Sequence, residues 1–215
     1  MTTPISTNRG QCMPRSQRRA QLLDAALSVF AERVYHAAAM DEIAERAGVS
    51  KPVLYQHFPG KLELYLALLD KHCETLEDLI KQALEQSPDD NHERVMATVS
   101  AYYDFVTQDG AAFRMVFESD LTSVPQVRAR LDAVEFTCAE AFADVIAGDT
   151  GVDDERAMLL GVALAGMAHI SARHWLATNN ELAKEQASEL IATLAWRGIG
   201  SLPLAGGEAK PPTSG

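Results

Sequence analysis

The feature that most constrains this chain is the stretch DEIAERAGVSKPVLYQHF at residues 41–58. Its apolar spacing predicts two short helices, 41–47 and 51–57, separated by a turn. Two helices that cross at about 90–120° need a small residue where they approach and a left-handed residue in the turn. Ala44 and Gly48 meet these needs. The residues expected to face a third helix are Ile43, Val49 and Leu54, so the stretch predicts a helix-turn-helix.

Apolar residues recur at three- and four-residue spacing along most of the remaining chain. They predict a first helix from about 16 to 33 and a long helix from Lys61 to about Gln86. The further predicted helices are 91–108, 111–118, 124–147, 154–177 and 184–198. Because β-branched alternation and hairpin signals are lacking, the expected fold class is all-α. The expected domains are an N-terminal three-helix domain at 15–60, a larger C-terminal helical domain at 61–204, and disordered segments at 1–14 and 205–215.

Charge is distributed unevenly between these two domains. Residues 1–61 carry eight Lys and Arg against five Asp and Glu, whereas the rest of the chain carries 11 against 25. A net charge of −11 would argue against a polyanionic partner, but a basic first quarter is typical of a small domain that meets an anion. Scattered, solvated charge is the alternative explanation.

Composition limits where the chain is expected to work. No apolar run reaches the roughly 18 residues that a membrane-spanning helix needs, and the first residues lack the apolar stretch of a secretory signal. Three cysteines, Cys12, Cys73 and Cys138, lie far apart without a CxxC pair. Neither a disulfide framework nor a thiolate metal site is indicated. We expect a cytoplasmic protein without a membrane partner, cofactor or metal.

The second helix of the motif has an outward face suited to double-stranded DNA. Lysine can donate to guanine, glutamine can pair with adenine, and proline or valine can touch a thymine methyl group. The candidate DNA-binding residues on this helix are Ser50, Lys51, Pro52, Val53, Tyr55, Gln56 and His57. Lys61 joins them because it opens a helix, where free N–H groups favour a phosphate.

The wider stretch DEIAERAGVSKPVLYQHFPGKLELYLALL resembles the DNA-binding domain of the TetR family of transcriptional regulators, over about residues 16–70. The resemblance lies in the helix-turn-helix, the Leu-Tyr-x-His-Phe recognition helix and the Phe-x-x-Lys step that follows. It implies a ligand-responsive regulator, expected to be a repressor, that binds a palindromic operator as a homodimer. It also implies phosphate contacts from Tyr55, His57 and Lys61, and base contacts from Lys51, Pro52 and Val53.

Two positions depart from the pattern of that family. Val34 stands where a glycine usually follows the first helix, and β-branched residues resist a left-handed conformation, so this helix is expected to end differently. Met40 stands where a threonine commonly opens the second helix and touches phosphate. No such contact is assigned to Met40. The neighbouring Asp41 is expected to be the N-cap of that helix.

Together with YYDFV, FRMVFESDL and ARHWLA further along, the stretch is similar to FasR-type regulators of fatty-acid synthesis from actinobacteria. That similarity implies control of fatty-acid synthase and acyl-CoA carboxylase genes, with long-chain acyl-CoA as the effector. Two alternatives stay open. One is a TetR-type regulator of drug efflux that responds to a hydrophobic compound, and the other is a helical ligand-binding scaffold without DNA binding.

The aromatic-rich helices of the larger domain are expected to enclose an apolar ligand pocket, as in TetR-like regulators. For any single residue the alternative is ordinary helical core. The candidate ligand-binding residues are Val99, Tyr103, Val106, Phe113, Val116, Phe117, Phe136 and Met167. A CoA headgroup would need cations at the mouth. The candidates for these cations are Arg114, Arg128, Arg130 and Arg173.

Small residues at helical spacing mark the helix predicted at 154–177. Small residues permit close helix approach, and the last two helices of TetR-like regulators pair across a two-fold axis. The candidate dimer-interface residues are Gly161, Ala165, Ala168, Ala172, Leu190, Ile191 and Leu194. The alternative is that the small residues pack only within one chain.

An enzyme built on a helical bundle is the rival class of function. No HExxH, ExxH or GxSxG motif occurs, and His169 and His174 are spaced so that they lie on different faces of a helix. We therefore assign no catalytic residue.

Overall fold

The structure, a computed structural model, describes residues 13–33, 35–86, 90–108, 110–117, 121–178 and 182–199. Its helices are α1 (Arg15–Glu32), α2 (Met40–Arg46), α3 (Lys51–His57), α4 (Lys61–Glu85), α5 (Asn91–Gln108), α6 (Gly110–Phe117), α7 (Pro125–Asp149), α8 (Asp154–Ala177) and α9 (Lys184–Ile199). A 3-10 turn at Tyr35–Ala37 follows α1. The described ranges contain no β-strand, and the predicted all-α class is confirmed.

The chain divides into two compact units, residues 1–68 and 69–215. The division falls within α4, about two helical turns after the predicted boundary at 60/61. The reason is that the first turns of α4 bury Leu64, Tyr65 and Leu68, so they are part of the core rather than a linker. No helix in the described ranges is both long and apolar enough to cross a membrane. The predicted disordered segments at 1–14 and 205–215 lie outside the described residues, apart from Met13 and Pro14.

The first unit is a small helical bundle around one apolar core. The fully buried side chains include Leu22 and Val29 of α1, Ile43 of α2 and Leu54 of α3. Each comes from the apolar face that the helical spacing predicts, while the charged residues of these helices stay outside. The predicted helix-turn-helix is therefore present, with α3 as its second helix.

The turn between α2 and α3 is closed by backbone hydrogen bonds around Gly48. The Gly48 N–H donates to the Glu45 carbonyl at 2.9 Å, and the Val49 N–H donates to the Ala44 carbonyl at 3.0 Å. This pairing is a Schellman motif, which needs a left-handed residue just after the helix. Gly48 supplies it with a φ of 64°. Residues other than glycine rarely adopt this backbone conformation.

Two helix ends near the turn differ from the sequence-based expectation. α2 begins at Met40, with Ala39 in the N-cap position and no side-chain cap, so the N-cap role expected for Asp41 is wrong. Asp41 lies one residue inside the helix, where its charge still favours the positive end of the helix dipole. α1 ends at Glu32 and continues into extended backbone at Arg33. Val34, the expected cause of a different helix end, lies outside the described residues.

The second unit is organised by a close pairing of α7 with α8. α8 turns Ala157, Gly161, Ala165, Ala168 and Ala172 inward, all of them buried. A Cβ atom at Gly161 would collide with the Ala139 carbonyl oxygen and lie 3.1 Å from the Ala143 nitrogen. Because α7 passes so close to α8, only a glycine fits at this crossing.

Ion pairs tie further helices of the second unit together. Lys184 of α9 contacts Asp104 of α5 at 2.5 Å, and Arg130 of α7 contacts Asp70 of α4 at 2.5 Å. Arg94 of α5 contacts Asp149 at the end of α7 at 2.9 Å. These pairs are partly buried. Surface ion pairs contribute about 0–1 kcal/mol each, and burial adds a desolvation cost, so the apolar contacts between the helices dominate stability.

Candidate nucleic-acid interface and ligand pockets

α3 turns one side chain inward and most of its others outward. Leu54 is fully buried in the core of the first unit. The exposed residues at or next to this helix are Ser50, Lys51, Pro52, Tyr55 and Gln56, and the half-buried ones are Val53 and His57. The structure thus brings seven of the eight predicted DNA-binding residues onto one short helix and its N-cap, with an outward face that a DNA groove can reach.

Lys51 forms an ion pair with Asp41 of α2. Its Nζ atom lies 2.5 Å from the Asp41 carboxylate, and both side chains are 61% exposed. An exposed ion pair contributes about 0–1 kcal/mol, so a phosphate or a base edge can compete with Asp41 for this ammonium group.

Lys61, the eighth predicted DNA-binding residue, is engaged inside the first unit. Its ammonium group donates to the Tyr35 carbonyl at 2.9 Å, the His36 carbonyl at 3.4 Å and the Ala38 carbonyl at 2.9 Å. The same group lies 4.5 Å from the centre of the Tyr35 ring. An ammonium has three donors, and here all three point to the backbone between α1 and α2. This geometry suits a residue that holds the 3-10 turn in place.

A cationic concavity borders the outward face of α3. It has a volume of about 790 Å³ and is lined by Met13, Arg15, Arg18, Gly48, Val49, Ser50, Val53, Gln56 and His57. The pKa of His57 is lowered, first by burial and then by the charges of Arg15, Arg19 and Arg18. The candidate residues inferred from the sequence omit these arginines. Their basic cluster at the start of α1 was visible, but its position beside α3 depends on how the helices pack.

The predicted ligand-binding residues whose side chains the structure describes lie in different surroundings. Val99, Tyr103 and Val106 are buried in α5, and the Tyr103 ring packs 5.7 Å from the Trp175 ring. Their inward position supports ordinary helical core, the alternative weighed for each residue. Met167 is half-buried, and Phe136 is 53% exposed. The side chains of Phe113, Val116 and Phe117 lie outside the described part of the structure.

A groove of about 440 Å³ runs between α7 and α8. Its lining includes Phe136 from the predicted set, and the other residues that form it are Leu76, Tyr102, Asp132, Val134, Glu135, Cys138, Ala139, Val162, Ala165, Gly166, His169 and Ile170. Its volume lies within the roughly 300–1,000 Å³ of typical ligand sites. Burial, followed by the charge of Arg173, lowers the pKa of His169 to about 4, so this imidazole is neutral near pH 7.

A smaller cavity of about 70 Å³ lies among α4, α5, α7, α8 and α9, lined mostly by apolar side chains such as Phe142, Leu164 and Trp196. Arg94 also lines it, paired with Asp149, and the buried Nε atom of Arg94 has no hydrogen-bond partner among the described residues. A space of this size suits a few ordered water molecules rather than a long chain.

Two of the four cations proposed for a CoA headgroup are paired with carboxylates. Arg128 contacts Asp132 at 2.8 Å, and Arg130 contacts Asp70 at 2.5 Å. Arg114 is exposed on α6, and Arg173 is half-buried on α8 near His169. Because carboxylates already pair with two of these arginines, less positive charge is available to bind a CoA headgroup than the sequence suggested.

The predicted dimer interface needs a correction on α8. Gly161, Ala165, Ala168 and Ala172 face the interior of their own chain, so they do not present a surface to a second copy. The large apolar residues of α8 point outward instead, with Leu159 71%, Val162 52% and Ile170 50% exposed. On α9, the predicted residues Leu190 and Leu194 are 63% and 61% exposed, and Ile191 is half-buried. These exposed apolar side chains form the candidate interaction surface.

Comparisons with known proteins agree with this architecture. The sequence profile of bacterial regulatory proteins of the TetR family matches residues 22–68. The chain is 45% identical over 196 residues to the HTH-type transcriptional activator FasR of Mycolicibacterium smegmatis, an alignment that covers 91% of this chain and 89% of that protein.

Solved structures show the same fold. A TetR-like transcriptional regulator from Rhodococcus sp. RHA1 superimposes with a TM-score of 0.70 at 26% identity, covering 87% of this chain and 98% of that one. The regulator FadR of Bacillus subtilis, solved in complex with stearoyl-CoA, superimposes with a TM-score of 0.68 at 18% identity, covering 82% of this chain and 96% of that one.

Proposed function

Because this chain belongs to the TetR family of bacterial regulatory proteins and is a DNA-binding transcriptional regulator, we propose that it acts as a homodimer on a palindromic operator, under the control of a long-chain acyl-CoA. We further propose that it activates genes of fatty-acid synthesis. The sequence-based expectation was repression, but the relative that is 45% identical over most of the chain is named an activator.

The observation that carries the proposal is the outward face of α3. Only Leu54 of this helix is fully buried, while Lys51, Tyr55 and Gln56 are exposed. In this proposal Lys51, Pro52 and Val53 face bases, and Tyr55 and His57 face phosphates. Polar and small apolar residues on one accessible helix provide both base-edge contacts and backbone contacts.

DNA selection from a random pool tests this assignment. We expect the protein to select palindromes, and we expect the double variant Lys51→Ala, Tyr55→Ala to lose most of its affinity for them. Lys81→Ala is the matched control, because Lys81 is an exposed lysine of α4 in the second unit. Unchanged affinity of the double variant would overturn the assignment. Failure of the wild-type protein to select any DNA would favour the scaffold alternative.

The proposed dimer surface consists of Leu159 on α8 with Leu190 and Leu194 on α9. It leaves out Val162 and Ile170, which line the groove between α7 and α8. A second copy that covers the leucines removes apolar area from water, at roughly 25 cal/mol per Å². A two-fold axis would place two recognition helices about one DNA turn apart. We expect wild-type dimers in sedimentation equilibrium and monomers for Leu190→Glu with Leu194→Glu. Gln82→Glu, an exposed position of α4, should leave the dimer intact; dimeric double variants would contradict the assignment.

The proposed effector site is the groove between α7 and α8. Its lining is mostly apolar, with Asp132, Glu135 and His169 as its polar members, and its volume suits a lipid chain. FadR of Bacillus subtilis, which shares the fold, was solved with stearoyl-CoA. A ligand changes DNA affinity only by binding two states of the protein differently, and such coupling is typically about 1–3 kcal/mol.

Titration with oleoyl-CoA during DNA binding tests the effector class. We expect operator affinity to change by roughly 5- to 150-fold on addition of oleoyl-CoA. We expect Gly166→Trp, which adds a large ring to the groove lining at a position with open space around its Cβ, to remove this response. Free CoA is the control for the headgroup. If oleoyl-CoA leaves the operator affinity unchanged, the DNA-binding assignment stands and the effector is a different hydrophobic compound, such as the efflux-type compound considered above.

A further inference from the structure

Three of the seven described cations of the first unit are paired with carboxylates of that unit, and a fourth is held by backbone carbonyls. Arg33 pairs with Glu42 at 2.9 Å, Arg46 pairs with Glu32 at 2.5 Å, and Lys51 pairs with Asp41. Lys61 donates to three backbone carbonyls. The positive charge that the described part of the first unit offers to an anion therefore comes from its remaining cations.

Among the described residues of the first unit, the remaining cations are Arg15, Arg18 and Arg19, in the first turns of α1. Residues three and four apart lie on one face of a helix, so the three guanidinium groups share one side of α1. Among the described residues no carboxylate lies within ion-pair distance of any of them. Three like charges without a counter-charge raise each other's energy, and an anion would relieve this repulsion.

Two of the three arginines are linked to the helix-turn-helix, Arg18 through Gln21 of α1 and Arg19 directly. Arg18 donates to the Gln21 side chain at 2.7 Å, and the Gln21 amide donates to the Ala47 carbonyl at the end of α2 at 2.8 Å. Arg19 lies 4.9 Å from the centre of the Phe58 ring, at the end of α3. A charged group that is held by its surroundings loses less side-chain entropy when it binds a ligand.

The space in front of Arg15 and Arg18 is continuous with the outward face of α3. The concavity of about 790 Å³ contains both arginines together with Ser50, Gln56 and His57. The lowered pKa of His57 is consistent with a positive potential there, since after burial its causes are the charges of these arginines. A DNA strand that lies along α3 therefore has a cationic wall beside it.

We propose that Arg15, Arg18 and Arg19 form a second contact with the DNA backbone, in which their guanidinium groups bind phosphodiester oxygens next to the segment that α3 reads. Guanidinium matches phosphate oxygens in charge and in its forked geometry. The contact anchors α3 in the groove but does not itself distinguish bases. This inference rests on the proposed DNA binding, because the phosphates belong to the same duplex.

The salt dependence of DNA binding tests the inference. The affinity for a selected palindrome is measured between 50 and 300 mM KCl for the wild type, for each Arg→Gln variant and for the triple variant. Each lost phosphate contact should make the slope of log K against log[KCl] shallower by about 0.9. In a dimer, each substitution removes one such contact from each protomer. The preferred base sequence should stay the same, because these residues do not read bases.

Matched variants separate this role from a general loss of charge or of stability. Arg33→Gln and Arg46→Gln remove cations of the same unit that are paired with Glu42 and Glu32, and should leave the slope near the wild-type value. Arg18→Lys keeps the charge and should keep the slope, while thermal unfolding reports whether the Gln21 contact matters for the fold.

Three outcomes are distinguishable. A shallower slope in the triple variant, with unchanged slopes in the Arg33→Gln and Arg46→Gln variants, supports the second contact. A wild-type slope in a folded triple variant overturns it while leaving DNA binding by α3 intact. A wild-type protein that binds no duplex at all overturns the proposed function as well, and with it this inference.

Discussion

The recognition helix α3 of the first unit buries a large apolar side chain, whereas the long α8 of the second unit buries only small residues. α3 buries a leucine and exposes polar residues, which is the usual pattern of a surface helix. α8 buries glycine and alanine and exposes Leu159, Val162 and Ile170. The difference shows that the distance to the neighbouring helix, as well as hydrophobicity, decides which face of a helix lies inside.

Replacing Gly161 by alanine should have the largest effect, because the added methyl group meets the backbone of α7. We expect a loss of about 2–3 kcal/mol in the free energy of unfolding, since overpacking forces helices apart. Gly166→Ala on the same helix is the control. It has open space around its Cβ position and should stabilise by about 0.4–1 kcal/mol. Equal effects of the two variants in denaturant unfolding would show that α8 does not depend on its closeness to α7.

Replacing Lys61 by methionine probes the first unit in the same way. Three carbonyls lose a charged donor, so we expect a loss of about 2 kcal/mol in the free energy of unfolding. The salt slope of DNA binding should stay at its wild-type value, because the ammonium group is directed to the backbone. Lys81→Met is the control, since the Lys81 side chain is 53% exposed and its partner Glu77 lies 3.9 Å away. A slope that becomes shallower in the Lys61 variant would restore the phosphate role suggested by the sequence.

Acid should weaken the second unit through His169. The pKa of His169 in the folded chain, about 4, lies below the ordinary value of 6.5. Between these two pH values the imidazole is protonated in the unfolded chain but not in the folded chain. Stability is fully present above pH 6.5 and falls as the pH drops toward 4, by about 1–2 kcal/mol after allowance for solvent screening. Unfolding of His169→Gln, compared with the wild type at several pH values, should show a flatter dependence; parallel curves would remove His169 from the explanation.

Replacing Gly48 by alanine should cost less than the change at Gly161, although both are glycine-to-alanine changes. Nothing lies within 4 Å of a Cβ at Gly48, so the expected loss of about 1 kcal/mol comes only from its φ of 64°. Gly48→Asn should recover part of this loss, because asparagine tolerates left-handed backbone better than alanine. The free energy of unfolding of the two variants measures the difference. An alanine variant as stable as the wild type would contradict the argument from φ.

The smallest expected effect is that of Asp41→Asn. Loss of the exposed ion pair should change the free energy of unfolding by less than about 1 kcal/mol. The same change frees Lys51 for DNA, so operator affinity should rise about two- to fivefold in a binding titration. Glu42→Gln, which releases Arg33 instead, corrects for the general loss of acidic charge. Weaker binding by the Asp41 variant would show that the ion pair helps Lys51 to contact DNA.

Much of the fold and part of the site could be predicted from the sequence. The helix-turn-helix followed from Ala44, Gly48 and Leu54 because short-range spacing determines a tight turn. The ends of α5 and α8 agreed with the predicted ranges, 91–108 and 154–177, since Gly, Pro, Asp and Asn interrupt helices locally.

The remainder depended on distances between helices, which periodicity does not contain. Alanine at every third or fourth position fits an inner face or an outer face equally well, so Gly161 could not be placed from spacing alone. Arg15 and Arg18 are far from Ser50 in sequence, and only the packing of α1 brings them to one concavity. Lys61 opens a helix, but the carbonyls that surround it come from a turn without a strong sequence signal.

The two faces of α8 also divide the kinds of mutation that this helix can accept during evolution. A change at Gly161 disturbs the fold of every copy, so selection acts against it whichever partner the protein binds. Changes at Leu159, on the proposed dimer surface, should leave the chain folded and alter which surfaces fit together. After gene duplication, two descendants could therefore stop exchanging subunits through a few substitutions on the outer face, while both retain the same DNA-reading helix.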